Sequence, residues 1–397
     1  MDKIVAPLRV AFRNSQSTRS ISIIPPNRNV KAQEQVKPAI NEAEKIVGYP
    51  TSFLSLRWIL NDEVANIALH LRKLIGTNHP LLNTARDLIV NKQSLNWGLI
   101  VLLVSKAGGI KSEFSYVDCD ITAGILHSQR VLAEVTEMIR TSNLLHKSVQ
   151  NVKANDPNFN DFTFGNKLSM LTGDYLLSTS FRELAGLKNH DLNEFISSSL
   201  RDLAEAQFIE PRDKQNRPLP APPLTEQKDI KIPNQFDQDV LQIGEVLGNA
   251  KAEWTLRHLL DGGSLLAKCC QGALMLAEQP QTLQKLGYLL GRNIALAWQA
   301  CKDQKIFDNG RNDKFSLVCA PLLFHIQSDP SYYARIKEYA DTSDVNYTEI
   351  REVVKSGPGL QKTIELQEEF SLNALNVLEE FPDSEAKSAL INIIKSM

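Results

Sequence analysis

Apolar residues recur at helical spacing along most of this chain, whereas the strict alternation of a half-buried strand is scarce. Between residues 121 and 149, Val131, Val135, Met138 and Leu145 follow the period of one helix face. A periodic stretch of this length is unusual for a surface helix. It therefore predicts a central helix of a bundle.

Other segments carry the same period, and together they predict an all-α protein. Residues 99–104 are uniformly apolar, and the short run indicates a buried helix segment rather than a membrane span. With 43% hydrophobic residues, the 397-residue chain can bury a large core. Further helices are predicted over residues 165–187, 190–206, 234–278, 281–302 and in shorter stretches from 315 onward.

Prolines crowd residues 209–235, among charged side chains. This composition predicts a loop or a mobile linker. A boundary between two domains would have the same composition. The helices on both sides have the same character, so we expect an insertion within one bundle.

The N-terminal residues 1–35 are rich in bases and serines and poor in acids, with apolar residues between the bases near the start. This pattern is typical of a mitochondrial transit segment that is cleaved or disordered. The alternative is a basic tail without a targeting role. The folded domain is then expected over residues 36–397.

Composition excludes several classes of partner and site. The formal net charge of -2 gives no reason to expect nucleic acid as a partner. The five cysteines have no CxxC spacing and no histidines clustered nearby, so we interpret them as reduced core thiols rather than zinc ligands. Peripheral contact with a membrane stays open.

Two regions of the sequence are more specific than composition. The first comprises residues 144–151, 164–168 and 173–177, and the second comprises residues 289–299. In order and separation they resemble the two central motif regions of the trans-isoprenyl (polyprenyl) diphosphate synthases. Residues 41–50 narrow the resemblance to the second subunits of decaprenyl-type synthases.

The resemblance implies a single large antiparallel helical bundle of the isoprenoid synthase type. Enzymes of this family carry a DDxxD motif on each of two facing helices. Those carboxylates hold Mg²⁺, which neutralises the departing diphosphate of an allylic substrate. Both motifs lie at one open end of the bundle, which we call the mouth.

This sequence departs from the family pattern at the positions that bind metal. Only one of the six motif positions keeps an acid, and two have become lysines, which repel Mg²⁺. The resemblance therefore implies no catalytic residue, no cofactor and no metal on this chain. The degenerate positions are Lys147, Ser148, Asn151, Lys302, Asp303 and Ile306.

Other substrate contacts of the family are missing as well. Its early GKxxRP segment falls near residues 91–96, where only Lys92 could serve. Its paired arginines are absent between residues 152 and 164. Its mid-chain Lys–Thr pair falls near Asp261, Gly262 and Gly263.

Several other polar residues have a structural and a functional interpretation. Asp118 and Asp120 could hold a metal, but acids before a helix are more often N-caps. Glu134 and Glu137 could form an acidic pair, but we expect a solvated or interface face. His146 could be catalytic, but we expect it to pack in the bundle.

Lys147 and Lys302 carry a sharper hypothesis. If the bundle geometry is kept, they face each other across the mouth. They could then bind free diphosphate or pair with acids of a partner chain. The plain alternative is two solvated lysines.

The function implied by the resemblance is that of a non-catalytic subunit of a heteromeric decaprenyl-type synthase that makes the ubiquinone side chain. Its partner would be a catalytic subunit with intact DDxxD motifs, in a heterodimer or heterotetramer, and would bind Mg²⁺ and the allylic and isopentenyl diphosphates. The expected location is the mitochondrial matrix or the matrix face of the inner membrane. Two alternatives stay open, namely a weakly active prenyltransferase and a helical interaction protein unrelated to prenyl synthesis.

Overall fold

The computed structural model of the protein describes ten stretches of the chain. These are residues 28–48, 79–82, 84–85, 95–110, 121–225, 230, 232–234, 243–308, 314–341 and 345–397. Most of the predicted targeting segment, Lys92, Asp118, Cys119 and Asp120 lie outside the described residues.

The described residues are mainly α-helical, as the sequence predicts. The α-helices of the described residues are α1 (Arg28–Val47), α2 (Trp97–Gly108), α3 (His127–His146), α4 (Phe159–Gly186), α5 (His190–Glu205), α6 (Ile243–Val246), α7 (Ala250–His258), α8 (Ser264–Leu276), α9 (Gln281–Asp308), α10 (Ala320–Ser328), α11 (Tyr333–Asp341), α12 (Tyr347–Ser356), α13 (Gly359–Glu379) and α14 (Glu385–Lys395). The short elements are strands β1 (Ile121–Thr122) and β2 (Ile125–Leu126), 3-10 turns at Ala206–Phe208 and Pro330–Tyr332, and a π-helical turn at Leu259–Gly263.

Helix α2 forms the centre of the main core. Every residue from 99 to 104 is fully buried, which confirms the predicted buried helix segment. Helices α1, α3, α8 and α14 pack around α2, while α9 lies between α8 and α13. Within the part of the chain described here, no helix is both long and apolar enough to cross a bilayer.

The predicted central helix over residues 121–149 is wrong at both ends. Its first residues form an antiparallel hairpin in which Ile121 pairs with Leu126. The two-residue turn places Ala123 and Gly124 at positive φ (55° and 78°), a conformation that a helix excludes. Helix α3 therefore begins only at His127, and it ends at His146 for a reason given below.

Close packing of α8 against α9 depends on Gly291. A Cβ at this position would lie 2.8 Å from the Leu266 carbonyl oxygen and 2.9 Å from Cys270 Sγ. Cys269, Cys270, Cys301 and Cys319 are buried free thiols, which confirms for these four that they belong to the core. Burial raises the pKa of Cys269 to about 12, so this thiol stays protonated.

Candidate functional site

A cavity of about 1060 Å³ lies between α3, α4, α5 and the π-helical turn. Ile139, Leu177 and Leu203 supply apolar wall, and Lys147 and Asp261 supply charge. Both halves of the chain thus contribute to one pocket at the mouth. Its size suits a ligand with a substantial apolar part.

The first degenerate motif is not helical, because α3 ends at His146. The Asn166 side chain accepts a hydrogen bond from the Gln150 N–H (2.8 Å) and donates one to the Gln150 carbonyl (2.7 Å). These bonds hold Gln150 in an extended connection and replace the helical pairing that would continue α3. Residues 147, 148 and 151 therefore do not share one helix face.

Ser148 points into the protein rather than into the mouth. It is buried, and its hydroxyl donates to the Leu145 carbonyl (2.6 Å) and contacts Ser169 Oγ (2.9 Å). Asn151 is exposed at the rim and donates through Nδ2 to the Lys214 carbonyl (3.1 Å). Neither side chain is available to a metal in this arrangement.

Lys147 forms an ion pair with Asp261 across the mouth. Asp261 lies in the π-helical turn, where Gly262 adopts φ +140° beside the Trp97 ring. A larger residue at position 262 would be strained in this backbone and would clash with Trp97. The acid that pairs with Lys147 thus belongs to this chain, whereas the sequence-based hypothesis placed such acids on a partner chain.

Asp303, the only acid left in the second motif, is a buried structural residue. Its Oδ2 accepts hydrogen bonds from Trp254 Nε1 (2.8 Å) and from the backbone N–H of Ala320 (2.9 Å), the first residue of α10. Its Oδ1 accepts from Gln299 Nε2 (2.8 Å). A carboxylate satisfied in this way stabilises the start of α10 and is not free to bind a cation.

Lys302 and Ile306 complete the second motif. Ile306 is half-buried and packs against the cluster around Phe307 and Phe315. The pKa of Lys302 is lowered to about 8. Desolvation by the surrounding protein atoms contributes most, followed by the positive charges of Arg140 and Lys147. Lys302 is exposed at the surface, so solvent screens these charges and weakens the effect.

The donor set of the mouth does not fit Mg²⁺. This ion requires several carboxylate or phosphate oxygens in octahedral geometry. The motif positions instead present an ion-paired lysine, a buried hydroxyl, an amide, a second lysine, an internally bonded carboxylate and an isoleucine. Among the described residues, no group of three His, Cys, Asp or Glu side chains is placed to hold a metal ion.

Glu137 corrects one interpretation made from the sequence. It is buried rather than solvated, and its Oε1 accepts the Gly98 N–H (2.9 Å) at the start of α2. His146 borders the cavity, and its Nε2 lies 3.2 Å from Asp174 Oδ1 on α4. Both residues serve to join helices.

Three residues at or behind the mouth carry roles that sequence reasoning missed. Arg257 and its partner Glu253 are almost completely buried and fasten the proline-rich loop to α7. In the sequence, Asp261 stands out only because the Lys–Thr pair that the resemblance implies is missing near it. The available signal was that a lysine, Lys147, and an acid, Asp261, lie in two segments that the resemblance places at substrate contacts.

The chain is similar to several known proteins. The human protein named all trans-polyprenyl-diphosphate synthase PDSS2 is 36% identical over 378 residues, which cover 92% of this chain and 88% of the human protein. The mitochondrial hexaprenyl pyrophosphate synthase of Saccharomyces cerevisiae is 28% identical over 299 residues, covering 68% of this chain and 63% of the yeast protein. No protein-family model matches the chain.

Solved structures show the fold. A polyprenyl synthase from Caulobacter crescentus, in complex with calcium and isoprenyl diphosphate, superposes with a TM-score of 0.59 at 17% identity. The superposition covers 90% of this chain and 96% of the bacterial chain. The fold expected from the sequence is thereby confirmed. Together with the human relative, it establishes that the chain belongs to the trans-polyprenyl-diphosphate synthase family.

Proposed function

We propose that this protein is a non-catalytic subunit of a heteromeric polyprenyl diphosphate synthase that supplies the ubiquinone side chain in mitochondria. Its partner is a catalytic subunit with intact DDxxD motifs, which binds Mg²⁺ and both diphosphate substrates. The mitochondrial name of the yeast relative and the basic N-terminal sequence support a mitochondrial location, and within the organelle we propose the matrix or the matrix face of the inner membrane.

The observation that carries this proposal is the state of Asp303. A single remaining acid could be the remnant of a weak metal site. Here its two oxygens accept three hydrogen bonds from Trp254, Gln299 and Ala320, and the side chain is buried. With Lys147 paired to Asp261, neither motif offers a free carboxylate.

Helix α4 supports the assignment of a protein partner. Leu171 and Tyr175 lie one turn apart on its outer side, and their exposed fractions are 58% and 37%. Synthases of this family share a mode of dimerisation through central helices. We assign this face of α4 to contact with the catalytic subunit, where burial of the apolar side chains would stabilise the complex.

A prenyl-transfer assay tests the proposed function. Labelled isopentenyl diphosphate, an allylic primer and Mg²⁺ are given to this chain alone, to its catalytic sister alone, and to the co-expressed pair. We expect long-chain product only, or far more strongly, from the pair. Turnover by this chain alone would overturn the non-catalytic assignment and favour a weak prenyltransferase.

The proposed contact surface has a matched control within the chain. Leu372 on α13 has the same exposed fraction as Leu171, 58%. We expect Leu171→Asp to reduce co-purification of the sister chain and Leu372→Asp to leave it unchanged. Equal recovery with both variants would place the contact elsewhere.

A further inference from the structure

The proline-rich loop begins with an ordered segment, residues 209–221, which we call the strap. It contains no helix, yet it is held by its own hydrogen bonds rather than left as a mobile linker. The Leu219 N–H donates to the Pro211 carbonyl (2.8 Å), and the Asp213 N–H donates to the Arg217 carbonyl (2.9 Å). These bonds close a compact turn.

The Asp213 side chain fixes the tip of that turn. Its carboxylate accepts the N–H groups of Gln215 and Arg217, each at 2.8 Å. Arg217 Nε also donates to Asp213 Oδ2 (2.6 Å). The tip is therefore cross-linked by polar contacts although its sequence is typical of a linker.

A buried ion pair anchors the base of the strap to helix α7. The Arg257 guanidinium donates to the carbonyls of Ile209 (3.2 Å), Glu210 (3.0 Å) and Leu219 (3.2 Å). Glu253 holds Arg257 Nε at 2.9 Å and also accepts the Ala221 N–H (3.2 Å). Both side chains are at most 5% exposed, so these charge-assisted bonds are protected from water.

The strap connects the two degenerate motif regions. On one side, the Asn151 side chain and backbone donate to the Lys214 carbonyl and to Gln215 Oε1, both at 3.1 Å. On the other side, Leu219 packs in the same apolar cluster as Phe307, which follows the second motif on α9. The strap thus crosses the mouth.

Three cations around the strap have partners within the protein. Arg212 donates to the carbonyls of Asn216 (2.7 Å) and Ala206 (2.6 Å). Lys147 is paired with Asp261, and Arg257 with Glu253. These contacts compete with binding of free diphosphate and favour a mouth that is narrowed from within.

We propose that the strap is a built-in partial closure that hinders entry of soluble diphosphates into the mouth, with Arg257 and Glu253 as its anchor and Asn151 as its contact on the motif side. The inference rests on the proposed function, since it gives the chain a second reason to be inactive alone. Loss of carboxylates removes metal binding, whereas the strap restricts access.

Hydrogen–deuterium exchange on the full chain tests the closure without any assay of activity. We expect the amides of Asp213, Leu219 and Ala221 to exchange at least about tenfold more slowly than unstructured peptide. Arg257→Lys keeps the positive charge but loses the guanidinium that donates to three carbonyls of the strap. Amide exchange across the strap should therefore rise by about tenfold, while exchange in α2 stays unchanged. Strap amides that exchange as fast as unstructured peptide in the wild type would overturn the proposal.

Thiol labelling supplies a second measurement. Leu203 borders the cavity, whereas Leu192 on the same helix is buried elsewhere in the core. With labelling read peptide by peptide, Leu203→Cys should react about tenfold faster with N-ethylmaleimide once Arg257→Lys is added, and Leu192→Cys should not change. Fast labelling at Leu203→Cys with the anchor intact would show an open mouth and refute the closure, whatever the prenyl-transfer assay gives.

Discussion

The Lys147 ammonium and the Asp261 carboxylate form an ion pair that joins the first motif to a π-helical turn 114 residues further along the chain. The two side chains neutralise each other, so neither charge is left to attract a cation or a diphosphate in the mouth.

A double-mutant cycle measures this ion pair. Each side chain is 32% exposed, so we expect a coupling free energy of only about 0.5 kcal/mol between Lys147→Met and Asp261→Asn. The reversed pair, Lys147→Asp with Asp261→Lys, should keep most of the coupling. Urea unfolding at low and high salt provides the measurement, and a coupling that is zero at low salt would contradict the pairing.

Asp303 should matter for stability. Asp303→Ala leaves the Trp254 N–H and the Ala320 N–H buried without an acceptor, so we expect a loss of about 3 kcal/mol in the free energy of unfolding. Lys305→Ala, two residues further along the same helix, removes a contact with the Trp298 ring and should cost about 0.5 kcal/mol.

The same experiment separates a structural from a metal-binding Asp303. Unfolding of the wild type should be indifferent to millimolar Mg²⁺. A stabilisation by Mg²⁺ that disappears in Asp303→Ala would mean that this carboxylate binds the ion after all.

Gly291 tests the close approach of α8 and α9. In Gly291→Ala the new Cβ meets backbone atoms of Leu266 and Ala267, which cannot rotate away, so the helices must separate at a cost of about 2 kcal/mol. Gly186→Ala at the end of α4 meets no atom within 4 Å and should change stability by less than about 1 kcal/mol. Thermal unfolding compares the two, and equal midpoints would contradict the packing.

Local sequence predicted those parts of the fold that depend on local pattern. The buried run at 99–104 and the helices α4, α5 and α9 follow from apolar period, and α9 extends six residues beyond its predicted end at 302. The end of α3 could not be predicted in this way. It depends on Asn166, which bonds to Gln150 across 16 residues and only after α4 has packed.

The same distinction between local pattern and distant contacts applies to the candidate site. The resemblance to the family, and no coordinates, assigned Lys147, Ser148, Asn151, Lys302, Asp303 and Ile306 to the motif positions. What each side chain does there is set by distant partners, such as Trp254 for Asp303 and Gln215 for Asn151. Because these contacts join residues far apart in sequence, periodicity and composition carry no information about them.

His325 on α10 predicts a pH dependence of stability. It is 6% exposed, it stacks edge-on with Tyr332, and neither ring nitrogen has a hydrogen-bond partner among the described residues. Burial lowers its pKa from the ordinary value of 6.5, against a smaller opposing effect of Asp329. The folded protein therefore keeps this imidazole neutral at a pH where the unfolded chain takes up a proton.

The sign of the effect follows from that difference. Above pH 6.5 both states are neutral and His325 adds no pH dependence, whereas below pH 6.5 the unfolded state is stabilised by protonation. Stability should fall with decreasing pH, by at most about 1.4 kcal/mol per pH unit for this one group. His325→Phe should flatten the slope between pH 6.5 and 5, while His190→Gln at the exposed start of α5 should leave it unchanged. An unaltered slope in His325→Phe would mean that the buried imidazole accepts its proton as readily in the folded chain as in the unfolded one.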